Sequence, residues 1–206
     1  SSGTAAIKVA LKALGVGRGD QVITQAFNFI ATVEAIVDTG AEVIFSNIDD
    51  TLNMSAKSLE SLITKKTKAI IPVHMLGVPA DMISINRIGK GNKIPVIEDA
   101  CEAIGAKVAN KYVGGLSEFG VFSFDFGKMI TTGEGGALFT KRKSDGKNAR
   151  MYHDHGHKNI PNLPRGLDRA GLVGFNYRMT EISGAFGKVQ LEKFPRILRD
   201  SKKRYC

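Results

Sequence analysis

The sequence has few features of a secreted or membrane protein. It contains no tryptophan and only two cysteines, Cys101 and Cys206, which are too few for a disulfide framework. No apolar run reaches the roughly 18 residues that a transmembrane helix needs, and the sequence shows no signal-peptide pattern. These absences predict a protein of the reducing cytoplasm that does not cross a membrane.

An excess of acidic residues is also missing, since 29 Lys and Arg against 20 Asp and Glu give a formal net charge of +9. A basic protein that binds nucleic acid usually concentrates its positive charge on one surface. Here only KRK at 141–143 and RDSKKR at 199–204 are basic clusters, and the other basic residues are scattered. The charge pattern therefore disfavours nucleic-acid binding.

Segments with helical and strand-like periodicity alternate along the chain. The helical patterns lie near 4–14, 29–39, 55–65, 81–90, 144–152 and 180–196. The strand-like segments lie at 20–26, 41–49, 68–75, 93–100, 120–125 and 136–140. Both KAIIPVHM and KIPVIEDA are apolar almost throughout, which is typical of strands buried on both faces. The alternation predicts an α/β fold with a mostly parallel sheet flanked by helices.

Both ends of the sequence lie inside helical patterns. The opening SSGTAAIKVAL is already helical in its periodicity, and the closing RILRDSKKRYC still continues a helix. A natural domain rarely starts and stops within such elements. We therefore expect the sequence to be a piece of a longer protein.

Three polar features are predicted to share one edge of the sheet. In open α/β sheets, ligands bind beyond the carboxyl ends of the strands. Asp99 ends one strand, Lys128 follows another, and Ser2, Gly3 and Thr4 open the first helix. Small and hydroxyl residues at a helix N-terminus favour a phosphate, although an isolated S-G-T is more often a simple N-cap.

Lys128 stands out because it lies among apolar residues in FSFDFGKMITTGEGG. Its apolar neighbours are Phe122, Phe124, Phe126, Met129 and Ile130. Loss of solvation favours the neutral, nucleophilic form of an amine, as a Schiff-base lysine requires. The alternative is a strand-end lysine that extends its amine into solvent.

Other residues near this edge allow two interpretations each. Asp99 is either a solvated strand-end carboxylate or a group that holds a proton on a pyridine nitrogen. Phe27 and Phe29 follow a strand, where one ring could stack on a planar cofactor or pack in the core. Ser123 is a hydroxyl in an apolar strand and needs a partner. Together these groups form the set that pyridoxal phosphate requires.

Five segments carry a resemblance to a known family. In chain order they are SSGTAAIKVALKALGVGRGDQVI, FIATVEAI, VIEDACEAIGA, FSFDFGKMITTGEGGALFT and GFNYRMTEISGAFGKVQLEKF. They resemble the DegT family of pyridoxal-phosphate-dependent sugar aminotransferases over essentially the whole chain. The resemblance implies a fold-type-I large domain at 1–196 and, at 197–206, the start of a truncated small domain. Since family members are much longer, the resemblance also implies that an N-terminal segment is missing.

The resemblance also implies roles for individual residues. Lys128 is similar to the lysine that binds the cofactor covalently, and Asp99 to the carboxylate on its pyridine nitrogen. Phe29 resembles the ring that stacks on the cofactor. The groups that resemble phosphate ligands are Gly3, Thr4 and Ser123. Two residues depart from the family pattern, since Glu102 stands where Gln or His is usual near the phenolic oxygen and Gln25 where proline is common.

The resemblance further implies a homodimer with shared active sites. The segment GFNYRM is similar to one that reaches the cofactor phosphate of the neighbouring subunit, through either Asn176 or Arg178. His155 and Arg178 are candidate substrate contacts. His153, His155 and His157 alternate in one loop, a pattern that is more often a polar loop than a metal site, and we predict no metal.

The predicted reaction moves an amino group, from glutamate, onto a keto sugar. Nucleotide-linked 4-keto sugars are the broad expectation, and the loop of histidines with GFNYRM looks similar to transaminases acting on keto-deoxyoctulosonate. The product could enter antibiotic, lipopolysaccharide or capsule assembly. A related sugar dehydratase is an alternative, but such enzymes carry histidine in place of Lys128. A non-catalytic homologue that keeps only the fold is the other alternative.

Overall fold

A computed structural model of the protein describes residues 1–164 and 167–205. Its helices are α1 (Gly3–Ala13), α2 (Ile30–Val37), α3 (Ala56–Leu62), α4 (Met82–Gly91), α5 (Lys143–His153) and α6 (Glu181–Tyr205). Its strands are β1 (Gln21–Gln25), β2 (Glu42–Ser46), β3 (Thr67–Ile71), β4 (Ile97–Asp99), β5 (Lys107–Val108), β6 (Lys111–Tyr112), β7 (Phe119–Ser123) and β8 (Gly136–Thr140). Cys206, counted above as one of two cysteines, lies outside the described residues.

The strands form a mostly parallel mixed sheet, as predicted. Strand β1 pairs in parallel with β2 and β3, and β4 pairs in parallel with β7. Strand β8 runs antiparallel to β7. Parallel bridges from Ile70 to Val96 and from Val73 to Asp99 connect the two groups of strands. The resulting order is β2-β1-β3-β4-β7-β8.

Helices cover both faces of this sheet and bury two apolar clusters. The first lies around α1 and includes Ile7, Leu11, Ile36, Ile97 and Phe119. The second lies around α3 and α4 and includes Ile23, Leu59, Ile70, Met82 and Ile85. Since side chains on neighbouring positions of a strand face opposite sides, Ile70 and Ile71 contribute to different clusters. This explains the nearly continuous apolar run in β3.

Two parts of the secondary structure differ from the sequence prediction. The short hairpin of β5 and β6 was missed because each strand has only two residues; Ala109 and Asn110 form its turn with φ of 45° and 64°. The helical pattern placed near 180–196 is longer in the structure, because α6 continues through Pro195 to Tyr205 and includes the closing segment that was predicted to continue a helix. The proposed boundary between 1–196 and 197–206 therefore lies within a helix and stays a prediction.

None of the helices in the described part of the chain is long and apolar enough to cross a membrane.

Gln25 connects three segments at the end of β1, and its side chain is fully buried. Its Nε2 donates to the carbonyls of Phe27 (2.9 Å) and Leu52 (3.2 Å). Its Oε1 accepts from the amides of Met54 (3.1 Å) and Val73 (3.0 Å). Proline, which is common at this position in the resembled family, could form none of these side-chain hydrogen bonds. The bonds therefore explain why glutamine is present here.

We expect Gln25→Met to destabilise the protein. The change keeps the side-chain length but leaves buried amide and carbonyl groups without partners, at a cost on the order of 3 kcal/mol in the free energy of unfolding. Urea denaturation followed by circular dichroism measures this. Gln21→Met on the same strand is the matched control, since the Gln21 amide makes an exposed contact with Glu42. Equal losses in both variants would contradict the role of Gln25.

Candidate active site

The N-terminus of α1 lies directly against the carboxyl ends of β4 and β7. A Cβ on Gly3 would lie 2.9 Å from Sγ of Cys101 and 3.0 Å from Cβ of Ser123, so only glycine allows this approach. Ser2 caps the helix by accepting from the amide of Ala5 at 3.1 Å. The amides of Gly3 and Thr4 belong to the first turn, where helical amides have no partner within the helix.

These contacts reconcile the two interpretations of the S-G-T sequence. Ser2 is the N-cap, while Gly3 and Thr4 present amides beside Ser123. Oγ of Ser123 accepts from the amide of Asp125 at 3.3 Å, which leaves its hydrogen available to an acceptor. Helix amides and a hydroxyl that converge in this way form a suitable cradle for a phosphate.

Asp99 is a buried carboxylate with fixed orientation, and only 4% of the residue is exposed. Its Oδ2 accepts from the hydroxyl of Thr32 at 2.7 Å, and its Oδ1 accepts from the amide of Cys101 at 3.1 Å. The interpretation as a solvated strand-end carboxylate is therefore wrong. A buried carboxylate with an ordered partner on each oxygen is suited to hold a positive charge at one defined place.

Cys101 lies between this carboxylate and the start of α1. Burial, and then the negative charge of Asp99, raise the pKa of the Cys101 thiol, while the charge of Lys128 opposes the rise. The thiol is consequently neutral and unreactive near neutral pH. Its role in the structure is to fill the space beside Gly3.

Lys128 lies in the loop between β7 and β8, and its amine faces Glu102. The distance from Nζ to Oε1 of Glu102 is 4.0 Å, with about a quarter of each side chain exposed. Phe126 and Met129 are 81% and 38% exposed, so the expectation that they enclose the amine is wrong. Strand β7 ends at Ser123. The alternation of side chains between the two faces of a strand therefore does not extend to Phe126 and Met129.

Glu102 is held in place by an unusual backbone turn. Its Oε2 accepts from the amide of Leu76 at 3.0 Å. Leu76 has a φ of 53°, in the left-handed region that a residue with a branched side chain rarely adopts. The glutamate is thus a fixed partner of the Lys128 amine, which gives this departure from the family pattern a structural role.

Phe29 is available for stacking. It immediately precedes α2 and is 65% exposed, so the core-packing interpretation is wrong for this ring. It lies one turn before Thr32, which contacts Asp99, and therefore belongs to the same edge of the sheet. Phe27 is also exposed, at 44%.

Asn176 and Arg178 lie in a segment beside the start of α1, where the N-terminal amine of Ser1 donates to the carbonyl of Tyr177 at 2.7 Å. Asn176 is exposed and forms an antiparallel bridge with Asp154. Arg178 makes an ion pair with the buried Asp154, so its guanidinium is already engaged within its own chain. Of the two candidates for a distant phosphate, Asn176 is the more accessible.

The histidine loop makes contacts of its own. Nδ1 of His157 is 2.5 Å from Oδ1 of Asp168, and Nδ1 of His153 is 2.7 Å from the carbonyl of Arg150. His155 is exposed with a φ of 52°, and its predicted substrate contact stays a prediction. Within 1–164 and 167–205, His, Cys, Asp and Glu form no group of three or more that could hold a metal ion.

The sequence analysis missed a buried pair beside Asp99. Glu98 is fully buried and accepts from the amides of Gly114 (2.7 Å), Leu116 (2.6 Å) and Ser117 (2.6 Å). Nε2 of His74 lies 3.3 Å from Oε2 of Glu98. A charged residue inside an apolar strand requires such hydrogen-bond partners. The glutamate in the apolar segment KIPVIEDA was therefore the sequence feature that could have revealed this pair.

Burial alone would raise the pKa of Glu98, but the hydrogen bonds from His74 and from the amides of Gly114 and Ser117 outweigh it and lower this pKa. A carboxylate whose pKa is lower in the folded state stabilises the fold above its unfolded pKa. That contribution is lost as the pH falls from about 4.3 through the folded value.

We expect Glu98→Gln to destabilise the fold at pH 7, by about 3 kcal/mol, because a neutral amide cannot accept all of these bonds. The loss should shrink as the pH falls below about 4. Denaturation of both proteins between pH 3 and 7 measures this, with Glu60→Gln on the exposed side of α3 as control. A constant difference across this pH range would contradict the account.

The comparisons with known proteins give matches over nearly the whole chain. Residues 1–205 match the profile of the DegT/DnrJ/EryC1/StrS aminotransferase family. A GDP-perosamine synthase of Escherichia coli O157:H7 is 41% identical over 202 residues, covering 94% of this chain and 52% of the relative. A pleiotropic regulatory protein of Geobacillus stearothermophilus is 40% identical over 205 residues, with coverages of 98% and 52%.

The fold likewise resembles solved aminotransferase structures. A putative sugar aminotransferase from Streptococcus pneumoniae, in its PMP form, superimposes with a TM-score of 0.90 at 28% identity, covering 98% of this chain and 57% of that one. The predicted fold-type-I architecture is confirmed by this similarity. The chain spans about half the length of the curated relatives it matches.

Proposed function

Since the chain belongs to the DegT/DnrJ/EryC1/StrS aminotransferase family, we propose that it is the large domain of a pyridoxal-phosphate-dependent sugar aminotransferase. The observation that carries this proposal is the meeting of a buried carboxylate, a lysine amine and a phosphate cradle at one edge of the sheet. Asp99, Lys128 and the start of α1 are brought there by three separate parts of the chain.

Each of these groups has a defined task. The amides of Gly3 and Thr4 and the hydroxyl of Ser123 would hold the cofactor phosphate. The carboxylate of Asp99 would keep a proton on the ring nitrogen, and the exposed ring of Phe29 would contact the pyridine. The cofactor, when bound, supplies an electron sink for the carbanion that forms when the substrate loses a proton.

Lys128 has two roles in succession. Its Nζ would hold the cofactor, and the same amine, when free, would accept and return a proton at the substrate carbon. Glu102, whose Oε1 lies 4.0 Å from Nζ, would help to orient this amine.

We propose a nucleotide-linked keto sugar as the acceptor and glutamate as the donor. The name of the Escherichia coli relative, GDP-perosamine synthase, supports a nucleotide-linked sugar over keto-deoxyoctulosonate. Lipopolysaccharide assembly and a cytoplasmic location fit such a substrate. The sugar dehydratase alternative is disfavoured by Lys128.

A non-catalytic function is the second candidate, because one relative is named a pleiotropic regulatory protein. The two candidates differ in one measurable property. An aminotransferase must bind the cofactor covalently, whereas a scaffold that keeps only the fold has no need of it.

We expect borohydride reduction in the presence of pyridoxal phosphate to attach the cofactor permanently to Lys128. Peptide mass spectrometry should find the added mass on the peptide that contains this lysine, and Lys128→Arg should remove it. Lys141 is an internal control, because it lies beyond β8 and away from Asp99. Attachment mainly at other lysines would contradict the assignment and favour the non-catalytic candidate.

We also propose that two copies of the chain share each active site, with Asn176 of one copy serving the phosphate bound by the other. The exposed side chain of Asn176 supports this arrangement, because it is accessible to a second copy of the chain. An isologous dimer would use the contact twice.

Mixing two weakly active variants tests this sharing. Lys128→Ala and Asn176→Ala chains should each be weakly active, and subunit exchange should restore activity, because mixed dimers contain one intact site. Parent protein carried through the same exchange is the control. If exchange is demonstrated by native mass spectrometry and activity does not return, both residues serve their own chain.

A further inference from the structure

The segment 174–178 is attached to the end of α5 by backbone hydrogen bonds. The amide of Phe175 donates to the carbonyl of Tyr152 at 2.9 Å, and the amide of Tyr177 donates to the carbonyl of His153 at 2.9 Å. In such an extended segment, alternate side chains face opposite sides. Phe175 and Tyr177 therefore share one side, and Asn176 lies on the other.

The side bearing the two rings faces a lysine on α1. Nζ of Lys8 lies 5.2 Å from the centroid of the Phe175 ring and 5.6 Å from that of Tyr177. The same amine forms an ion pair with Asp38 at the end of α2. Lys8 thus connects α1, α2 and the segment 174–178 through a single charged group.

The environment keeps this group charged. Burial acts to lower the pKa of Lys8, but hydrogen bonds to Asp38 and Tyr177 outweigh it and raise this pKa well above its usual range. An ammonium within about 6 Å of a ring centroid is attracted by the face of the ring, and more strongly when it is partly shielded from water. Only 18% of the Lys8 side chain is exposed.

The ring packing adds a second anchor on the same side. Tyr152 is buried, and its ring lies 5.9 Å from Phe175 at a steep angle and 6.2 Å from Tyr177. The rings of Phe175 and Tyr177 are themselves 5.9 Å apart. With Lys8 over this cluster, one side of the segment is fixed while Asn176 stays exposed on the other.

We propose that Lys8 is a positioning residue for Asn176. By holding Phe175 and Tyr177 against α1, its ammonium fixes the segment in the register that presents the Asn176 amide outward. The inference rests on the proposed function, in which Asn176 serves a phosphate bound by a second copy of the chain. Lys8 then acts on the partner's site. Its helix, α1, nevertheless contributes its N-terminus to the site of its own chain.

Hydrogen exchange of the full chain tests the contact without cofactor or activity. In Lys8→Met, which keeps the side-chain length and removes the charge, the amides of Phe175 and Tyr177 should exchange at least about fivefold faster. Lys8→Arg should restore protection, because arginine also binds ring faces. Phe175→Leu provides a second variant that leaves Lys8 intact and should give the same acceleration. Unchanged exchange in Lys8→Met and Phe175→Leu would overturn the proposal.

Subunit mixing then identifies the site on which Lys8 acts. Lys8→Met should lose activity alone, recover it with Lys128→Ala, and fail to recover it with Asn176→Ala, because those two changes damage the same segment. Recovery only with Asn176→Ala would mean that Lys8 serves its own site through α1 and would overturn the proposal.

The two proposals fail in different ways. If Lys128→Ala and Asn176→Ala do not complement each other, the shared site is wrong, and with it the assignment of Lys8 to the partner's site. The exchange rates of Phe175 and Tyr177 still decide whether Lys8 fixes the segment.

Discussion

Two adjacent buried carboxylates on β4 determine how the rest of the site is built. Glu98 and Asp99 face opposite sides of the sheet, and each has its oxygens occupied by hydrogen-bond donors. A buried carboxylate without such partners would cost far more free energy than a domain of this size can spare. The surrounding loops are therefore constrained to place amides and hydroxyls at these oxygens.

This constraint connects structure to chemistry on both sides of the strand. On one side, Glu98 fixes the loop at 114–117 and the segment after β3 that contains His74. That segment continues to Leu76, whose amide holds Glu102. On the other side, Asp99 fixes the start of α2 through Thr32, and with it the position of Phe29. Groups far apart in sequence thus meet at one edge with defined orientation.

Much of the fold could be predicted from the sequence, because the spacing of apolar residues and the length of apolar runs indicate directly which faces are buried. The alternation of KAIIPVHM and KIPVIEDA with helical patterns was sufficient for the parallel strands. The β5–β6 hairpin could not be found, since two-residue strands have no measurable period. The pattern near 180–196 and the helical closing segment after it form one continuous helix, α6, although Pro195 lies inside it.

The positions of the candidate site residues were more predictable than their surroundings. Lys128 and Asp99 were singled out because they lie at strand ends, and their roles stay predictions, yet the expected enclosure of the amine by Phe126 and Met129 is absent. The partner of the amine, Glu102, was only a departure from the family pattern in the sequence, and the structure shows that the amide of Leu76 holds it. Contacts between side chains of distant segments, such as Thr32 with Asp99, leave no local pattern in the sequence.

The central claim is that Asp99 holds a proton on the ring nitrogen of a cofactor bound at this edge. The nitrogen chemical shift of pyridoxal phosphate carrying 15N in its ring, bound to the protein, measures this protonation directly. The account predicts a protonated ring nitrogen in the parent protein and a neutral one in Asp99→Asn, with the cofactor bound in both. A neutral ring nitrogen in the parent, or a protonated one that persists in Asp99→Asn, would contradict it.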